Sequence, residues 1–233
     1  MKQPSFGIIA PNYGRPNILR LWCAQIKRLR QELNICIPAC IISEEEDKSI
    51  CDEYFISHVT HENDPVTEKF NKGCEWIRNI GLDYMLILGS DDICSTGTIR
   101  RVMVEMKRCF DVIGIDGVYF YSIDGQYRGQ LVHLQGKRML GVCKAISSSI
   151  LEKVNWRPWH KERSWGMDAI ASQNIAPHVK SKCIISNTIV VDCKSKVNIN
   201  HSGLWFRKIK IKSDPNIFYN ILSDEEKQIL KTR

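Results

Sequence analysis

Two adjacent carboxylates, Asp91 and Asp92, end the apolar run Tyr84-Met85-Leu86-Ile87-Leu88. Acidic oxygens at the mouth of a buried strand are hard ligands for a divalent cation, or acceptors for ligand hydroxyls. The plainer reading is that they open the next helix, although Ser95 is the better cap for it. A second group that could do chemistry is His201, in Asn198-Ile199-Asn200-His201-Ser202-Gly203. It is either a satisfied loop histidine or a metal ligand. Trp156, Trp159 and Trp165 cluster with Pro158 and His160. Indole faces stack on sugar rings and bases, and they fill cores equally well.

The elements that must position these groups follow from periodicity. An apolar run of five between Asp83 and Gly89 is too short for a helix and reads as a strand buried on both faces. Residues 5–10 read as a first strand, followed by Pro11-Asn12-Tyr13-Gly14-Arg15-Pro16 and by a helix with Ile18, Leu19, Trp22, Ile26, Leu29 and Leu33 at helical spacing. That loop has neither the Gly-x-Gly-x-x-Gly of a dinucleotide site nor a P-loop ending. A second strand is expected over 35–42, ending in the acids 44–47, and a short third over 54–59. Asp64-Pro65 opens a helix with Val66, Phe70, Cys74 and Ile77 on one face, and Gly73 permits close approach to the sheet. Ser95 caps a helix burying Ile99, Val102, Met103, Met106 and Phe110, and 111–121 returns as strand. Alternating strands and helices argue for an open, mainly parallel sheet covered on both faces. The second half is mixed: strands over 126–134 and 183–192, helices over 146–154 and 167–175, and a tail helix with Ser223 and Glu226 at capping-box spacing.

Bulk properties bound the answer. The chain has 233 residues, 43% hydrophobic and 25% charged, which suits one α/β domain and not two. It has no run near the roughly 20 apolar residues of a membrane span and no signal-peptide pattern, so a cytoplasmic protein is expected. Ten cysteines scattered through apolar segments without a Cys-x-x-Cys pair read as buried free thiols. The net charge of +7 is concentrated late, in Lys180, Lys182, Lys194, Lys196, Arg207, Lys208, Lys210 and Lys212. Such a stretch suits a phosphate-bearing donor, a nucleic acid or an anionic surface, or is simply a solvated face.

The order of these motifs resembles a known family. A strand followed by Pro11-Asn12-Tyr13-Gly14-Arg15, then Lys69-Phe70-Asn71-Lys72-Gly73, then Leu88-Gly89-Ser90-Asp91-Asp92, is similar to the nucleotide-sugar half of the GT-A glycosyltransferases, family 2 in particular. Gly141-Val142-Cys143-Lys144-Ala145-Ile146 followed by Trp165-Gly166-Met167-Asp168 is similar to their acceptor half. The likeness covers residues 5–203. It implies a GT-A, Rossmann-like α/β fold with a smaller mixed acceptor-side half, in a single domain over 1–233. Residues 5–121 would form the nucleotide-sugar half, 122–206 the acceptor half and 207–233 a tail.

Carried over residue by residue, Asp91 matches the last Asp of the family's Asp-x-Asp motif, a ligand of Mn²⁺ or Mg²⁺, and His201 matches a further metal ligand. Pro11, Asn12, Tyr13, Arg15 and Glu44 match the nucleoside end of the site. Lys69, Asn71, Ser90 and Asp92 belong to the other donor-side motifs. Asp168 matches the general base of inverting members. Gly89 replaces the first Asp of Asp-x-Asp, and Met167 replaces the Glu before the base.

The chemistry agrees. A divalent ion on carboxylate oxygen neutralises a diphosphate leaving group, and a positioned carboxylate accepts the proton of an attacking hydroxyl. Lys194 or Arg207 would steady the diphosphate. The expected activity is therefore transfer of a sugar from a nucleotide diphosphate sugar to a hydroxyl of a saccharide, a lipid-linked glycan or a modified DNA base. Two alternatives stand beside it. One is a sugar-phosphate nucleotidyltransferase, which usually needs a Gly-rich basic loop after the first strand. The other is a binding module with a decayed site.

Overall fold

A computed structural model describes residues 3–160, 166–195, 206 and 211–232. Strand β1 (Phe6–Pro11) leads into helix α1 (Pro16–Leu33), then β2 (Ala39–Ser43), a 3-10 turn (Glu45–Asp47), α2 (Lys48–Glu53), β3 (Ser57–Thr60) and α3 (Val66–Asn79). Next come β4 (Tyr84–Ile87), β5 (Asp92–Cys94), α4 (Thr96–Lys107), β6 (Val112–Ile115), β7 (Gly117–Ser122) and β8 (Leu131–Gln135). The rest is β9 (Lys144–Ser147), α5 (Ser148–Lys153), α6 (Met167–Ile175), β10 (Lys182–Ile185), β11 (Val190–Lys194), β12 (Lys212–Ser213) and two short helices, Asn216–Tyr219 and Asp224–Lys231.

These strands form two sheets. The larger runs β10-β6-β9-β4-β1-β2-β3, parallel except for β9, which is antiparallel to both β4 and β6. Helices cover both of its faces because its strands alternate apolar residues between two clusters. Ile8 and Ala10 pack with Leu19, Trp22 and Ile99 on one side, whereas Ile9 packs with Cys74, Ile77 and Ile150 on the other. Gly73 lets α3 approach: a Cβ there would lie 2.6 Å from the Ile9 side chain. The smaller sheet runs β12-β8-β7-β11-β5. This is the expected α/β architecture, a mostly parallel central sheet with a mixed second half. The ten cysteines are free thiols; Cys36 and Cys109 are exposed and Cys183 partly so, which departs from the all-buried expectation.

Several element boundaries differ from expectation. The second strand starts at Ala39, since Pro38 has no N–H to give the ladder. Residues 54–59 do not begin as strand, because α2 buries Ile50 and Cys51 and Tyr54 ends it. The continuous strand expected over 111–121 is two, β6 and β7, in different sheets, and 183–192 likewise divides into β10 and β11. Asp116-Gly117 and Ser186-Asn187-Thr188 interrupt the two runs where they change sheet, but a local break does not say which strands each half will join. Residues 144–147, half of which were expected as helix, form the antiparallel strand β9, and only Ser148–Lys153 is helical. Residues 126–130 hold a 3-10 turn, so β8 begins at Leu131.

The tail helix carries the expected capping box, with Ser223 Oγ accepting from Glu226 N–H and the Glu226 carboxylate accepting from Ser223 N–H. The same carboxylate, wholly buried, accepts from Arg28 Nε at 2.7 Å. Arg28 also donates to Thr96 Oγ1 and Cys94 O, so one guanidinium ties α1 to α4, β5 and the tail. Removing one partner of a buried pair strands the other charge. Glu226→Ala is expected to cost about 3–5 kcal/mol in urea unfolding; a loss below about 1 kcal/mol would show that the tail is docked by other contacts.

Candidate functional site

The carboxyl ends of β1, β2 and β4 open on one edge of the larger sheet, and there the chain after β4 crosses into the smaller sheet. Gly89 N–H donates to Asp92 Oδ2 at 2.7 Å, folding the turn back on itself. A side chain at 89 has no room, since its Cβ would stand 2.7 Å from Asp92 Oδ2 and 3.1 Å from Asp91 Oδ1. Asp92 does not open a helix. It begins β5, which pairs antiparallel with β11 so that Asp92 lies directly opposite Asp192.

The structure therefore adds a residue that the sequence reading missed. Asp91, Asp92 and Asp192 each bring one carboxylate oxygen within 4.8 Å of the other two. Like charges facing each other across a strand pair are unfavourable. Two cations offset them: Arg15 Nη1 lies 3.0 Å from Asp91 Oδ2, with Nη2 3.1 Å from Ser90 Oγ, and Lys194 Nζ lies 2.6 Å from Asp192 Oδ2. Asp192 Oδ1 is buried without a hydrogen-bond partner. The available signal was an acid and a base two apart in the otherwise apolar Val190-Val191-Asp192-Cys193-Lys194, which puts both on one strand face.

The charge balance is uneven. Burial pushes Asp92 well above the usual carboxylate range, and Asp192 and Asp91 push it further. Burial also raises Asp91, but Arg15 and Lys194 outweigh it and hold the group below its ordinary value. Asp192 is pushed up to about 7 by burial and by Asp91, against the pull of Lys194. Burial disfavours the Lys194 ammonium, and the carboxylates of Asp192 and Asp91 more than reverse this.

A second group lies at the ends of β1 and β2. Asn12, following Pro11, is buried and donates from Nδ2 to Asp47 Oδ2 at 2.7 Å. Lys69 is buried too, donating to Asn12 O at 2.6 Å and Asn63 Oδ1 at 3.0 Å, with its ammonium 5.8 Å from the Tyr13 ring centroid. Burial lowers the Lys69 pKa, against the pull of Glu44 and Asp47. Glu44 itself is exposed. Asp47, the last of the four consecutive acids after β2, is thus an internal strut. Asn71 belongs to neither group: it bonds Glu68 and the backbone of Trp159, fastening α3 to the segment after α5.

Asp168 occupies the first turn of α6, behind Gly166 in a left-handed conformation. Its carboxylate fills the space over Gly141, where a Cβ would fall 1.8 Å from Oδ2. Beneath that helix face Lys144 is buried and donates to Ser172 Oγ at 3.5 Å. Burial lowers the Lys144 pKa while Asp168 acts to raise it. Trp159 is core, stacked on Phe70 with centroids 4.6 Å apart, and so is not an open platform. His201, Trp165 and Arg207 lie outside the described residues.

No protein-family model matches the chain, and no curated protein sequence does. Solved structures match it. S. aureus TarS superposes with a TM-score of 0.59 at 12% identity, over 82% of this chain and 37% of that one. The shared fold is Rossmann-like, a mostly parallel central sheet flanked by helices. CMP:2-keto-3-deoxy-manno-octonic acid synthetase, solved with CTP, gives 0.53 at 9% identity over 94% of this chain and 100% of that one. The bifunctional IspDF of Campylobacter jejuni gives 0.52 at 12% over 89% and 55%. The chain thus spans about a third of TarS and half of IspDF, and the likeness is one of fold.

A carboxylate near 7 in the folded chain and near 4 unfolded keeps a proton on folding in between, so its contribution to stability falls as pH rises through that window. Compared with Asp192→Asn in EDTA, the wild-type melting temperature is expected to decline from about pH 4 to about pH 7 and then level off. A pH-independent difference between the two proteins would show that Asp192 ionises normally.

Proposed function

We propose that this chain is a metal-dependent glycosyltransferase that moves a sugar from a nucleotide diphosphate sugar to a hydroxyl acceptor. The observation that carries the reading is the convergence of Asp91, Asp92 and Asp192 at the open edge of the sheet, with Asp192 Oδ1 buried and unpartnered. An all-oxygen donor set of this kind fits Mn²⁺ or Mg²⁺. Bound there, such an ion would neutralise the charge that develops on a departing diphosphate. Asp192 supplies the carboxylate that Gly89 does not, and Gly89 leaves the room in which the other two fold back.

The remaining roles fall to the chain's own groups. Pro11, Asn12 and Tyr13, braced by Lys69 and Asp47, would form the nucleoside end, with Glu44 at its rim. Arg15 and Lys194 flank the carboxylates and would donate to phosphate oxygens. Asp168, across the sheet edge on α6, would accept the acceptor's hydroxyl proton. Direct attack opposite the leaving group inverts the anomeric centre. The synthetase that matches end to end keeps nucleotidyl transfer as a second reading. Against it, the loop after β1 has Gly14 as its single glycine, where a triphosphate cradle calls for a glycine-rich one.

The two chemistries release different products. Sugar transfer liberates a nucleoside diphosphate from a nucleotide sugar, and nucleotidyl transfer liberates pyrophosphate from a nucleoside triphosphate. Melting curves with UDP, GDP, CDP and dTDP, each with and without Mn²⁺, identify the donor first. A ligand at one hundred times its dissociation constant adds about 2.7 kcal/mol. Asp91→Ala is expected to abolish the metal-dependent shift. Asp168→Asn is expected to keep that shift and lose about 10²- to 10⁴-fold in turnover; full activity in that variant would remove the base assignment, and pyrophosphate release would establish the second reading.

A further inference from the structure

The segment joining α5 to α6 was notable in sequence for its tryptophans, yet Trp159 is spent on the core. Its polar residues face elsewhere. A cavity of about 410 Å³ is lined by Lys153, Asn155, Arg157, His160, Asn174 and His178, together with Val154. No carboxylate is among those lining residues. Lys153 is the last residue of α5, Asn174 lies in α6, and His178 ends the 3-10 turn after it. Cation-bearing or N–H-donating side chains thus reach one hollow from three elements.

Their present commitments are informative. Arg157 Nη2 donates to both oxygens of Glu68 at 2.8 Å, which fixes the side chain at the cavity wall before any ligand arrives. Asn174 donates to the carbonyls of Arg157 and Pro158 and holds the same wall. The side chains of Lys153, His160 and His178 hydrogen-bond to no other described residue, although the Lys153 ammonium helps to hold the Asp111 carboxylate below its ordinary pKa. An ammonium and two imidazoles thus line a preformed hollow with donors that no side-chain acceptor occupies. Imidazole keeps one N–H donor even when neutral. The backbone here is unusual as well, with Asn155 and Trp156 consecutive in the left-handed region at φ 53° and 59°. Non-glycine residues held so are costly and gather at ligand sites.

We infer that this cavity binds a phosphate group carried by a small molecule, a phosphomonoester in form. Phosphate offers several acceptor oxygens and negative charge to such donors. A nucleic-acid strand would call for cations strung along a face or groove, whereas these converge on one hollow. The cavity is separate from the three carboxylates. Its relation to Asp168 is set by α6: Asn174 is six residues further on, roughly 9 Å along the axis. On the glycosyltransferase reading, and resting on it, the phosphate belongs to the acceptor, anchored there while its hydroxyl reaches Asp168.

The test uses the whole chain in EDTA, without donor, and reads no turnover, so its outcome is independent of the transfer chemistry. Calorimetric titration with inorganic phosphate at low ionic strength is expected to give saturable binding. Lys153→Met combined with His178→Asn is expected to weaken it on the order of ten- to a hundredfold. Both substituted side chains are at least partly exposed and carry no packing of the core. Absence of binding, or binding indifferent to the double variant, would overturn the assignment. So would a ten-nucleotide single-stranded DNA that binds more tightly than phosphate and is lost in the same variant, since the face would then be a nucleic-acid surface.

Discussion

Three carboxylates share one partly buried corner, and the arrangement of the whole edge follows from that repulsion. Asp92 and Asp192 are forced opposite each other by the register of β5 and β11, and Asp91 projects from the turn between the two sheets. Uncompensated, such a group would protonate or swing apart. The fold prevents the second outcome by anchoring Asp92 on Gly89 N–H and Asp91 on Arg15, and it tempers the first with Lys194. Neither cation neutralises all three acids. With all three ionised, the acids exceed the two cations by one charge and leave one oxygen unsatisfied, an arrangement that a divalent cation would complete by displacing the protons that burial otherwise holds there.

Around that corner the two faces of the larger sheet have separate tasks. The helices α1, α2 and α4 supply the deepest core, while α3, α5 and α6 on the opposite face carry Lys69, Asn71 and Asp168. The antiparallel strand β9 interrupts the parallel sheet between them. Its first residue, Lys144, therefore arrives at the same edge as the last residue of β4, Ile87. A parallel strand in that position would have delivered its start to the far edge. The inserted strand is thus what places Gly141 and Lys144 beneath Asp168.

How much of this was legible in the sequence depended on whether the informative pattern was local. Helices with a continuous apolar stripe, such as Pro16–Leu33 and Val66–Asn79, were visible from periodicity, and so was the buried strand before Asp91. The Ser95 cap and the Ser223–Glu226 box were visible because a cap is a contact between near neighbours. The division of 111–121 and of 183–192 between two sheets was not, since pairing partners lie far away in the chain. Asp192 escaped for the same reason. Its significance comes from facing Asp92, 100 positions earlier, and no property of its own strand states which residue it opposes. Asp47 showed the converse failure, an acid in an acidic run that turned inward to hold Asn12.

The ion pair between Arg28 and Glu226 joins residues separated by 198 positions. During synthesis the chain grows from its amino end, so α1 is made early while the carboxylate that its buried guanidinium requires arrives with the last helix. Until then Arg28 must keep its charge in water, and the α1 surface that it shares with Thr96 and Cys94 O stays unsealed. Closure of this side of α1 therefore requires residue 226 to be present. The buried arginine thereby couples the sealing of the first helix to the docking of the tail.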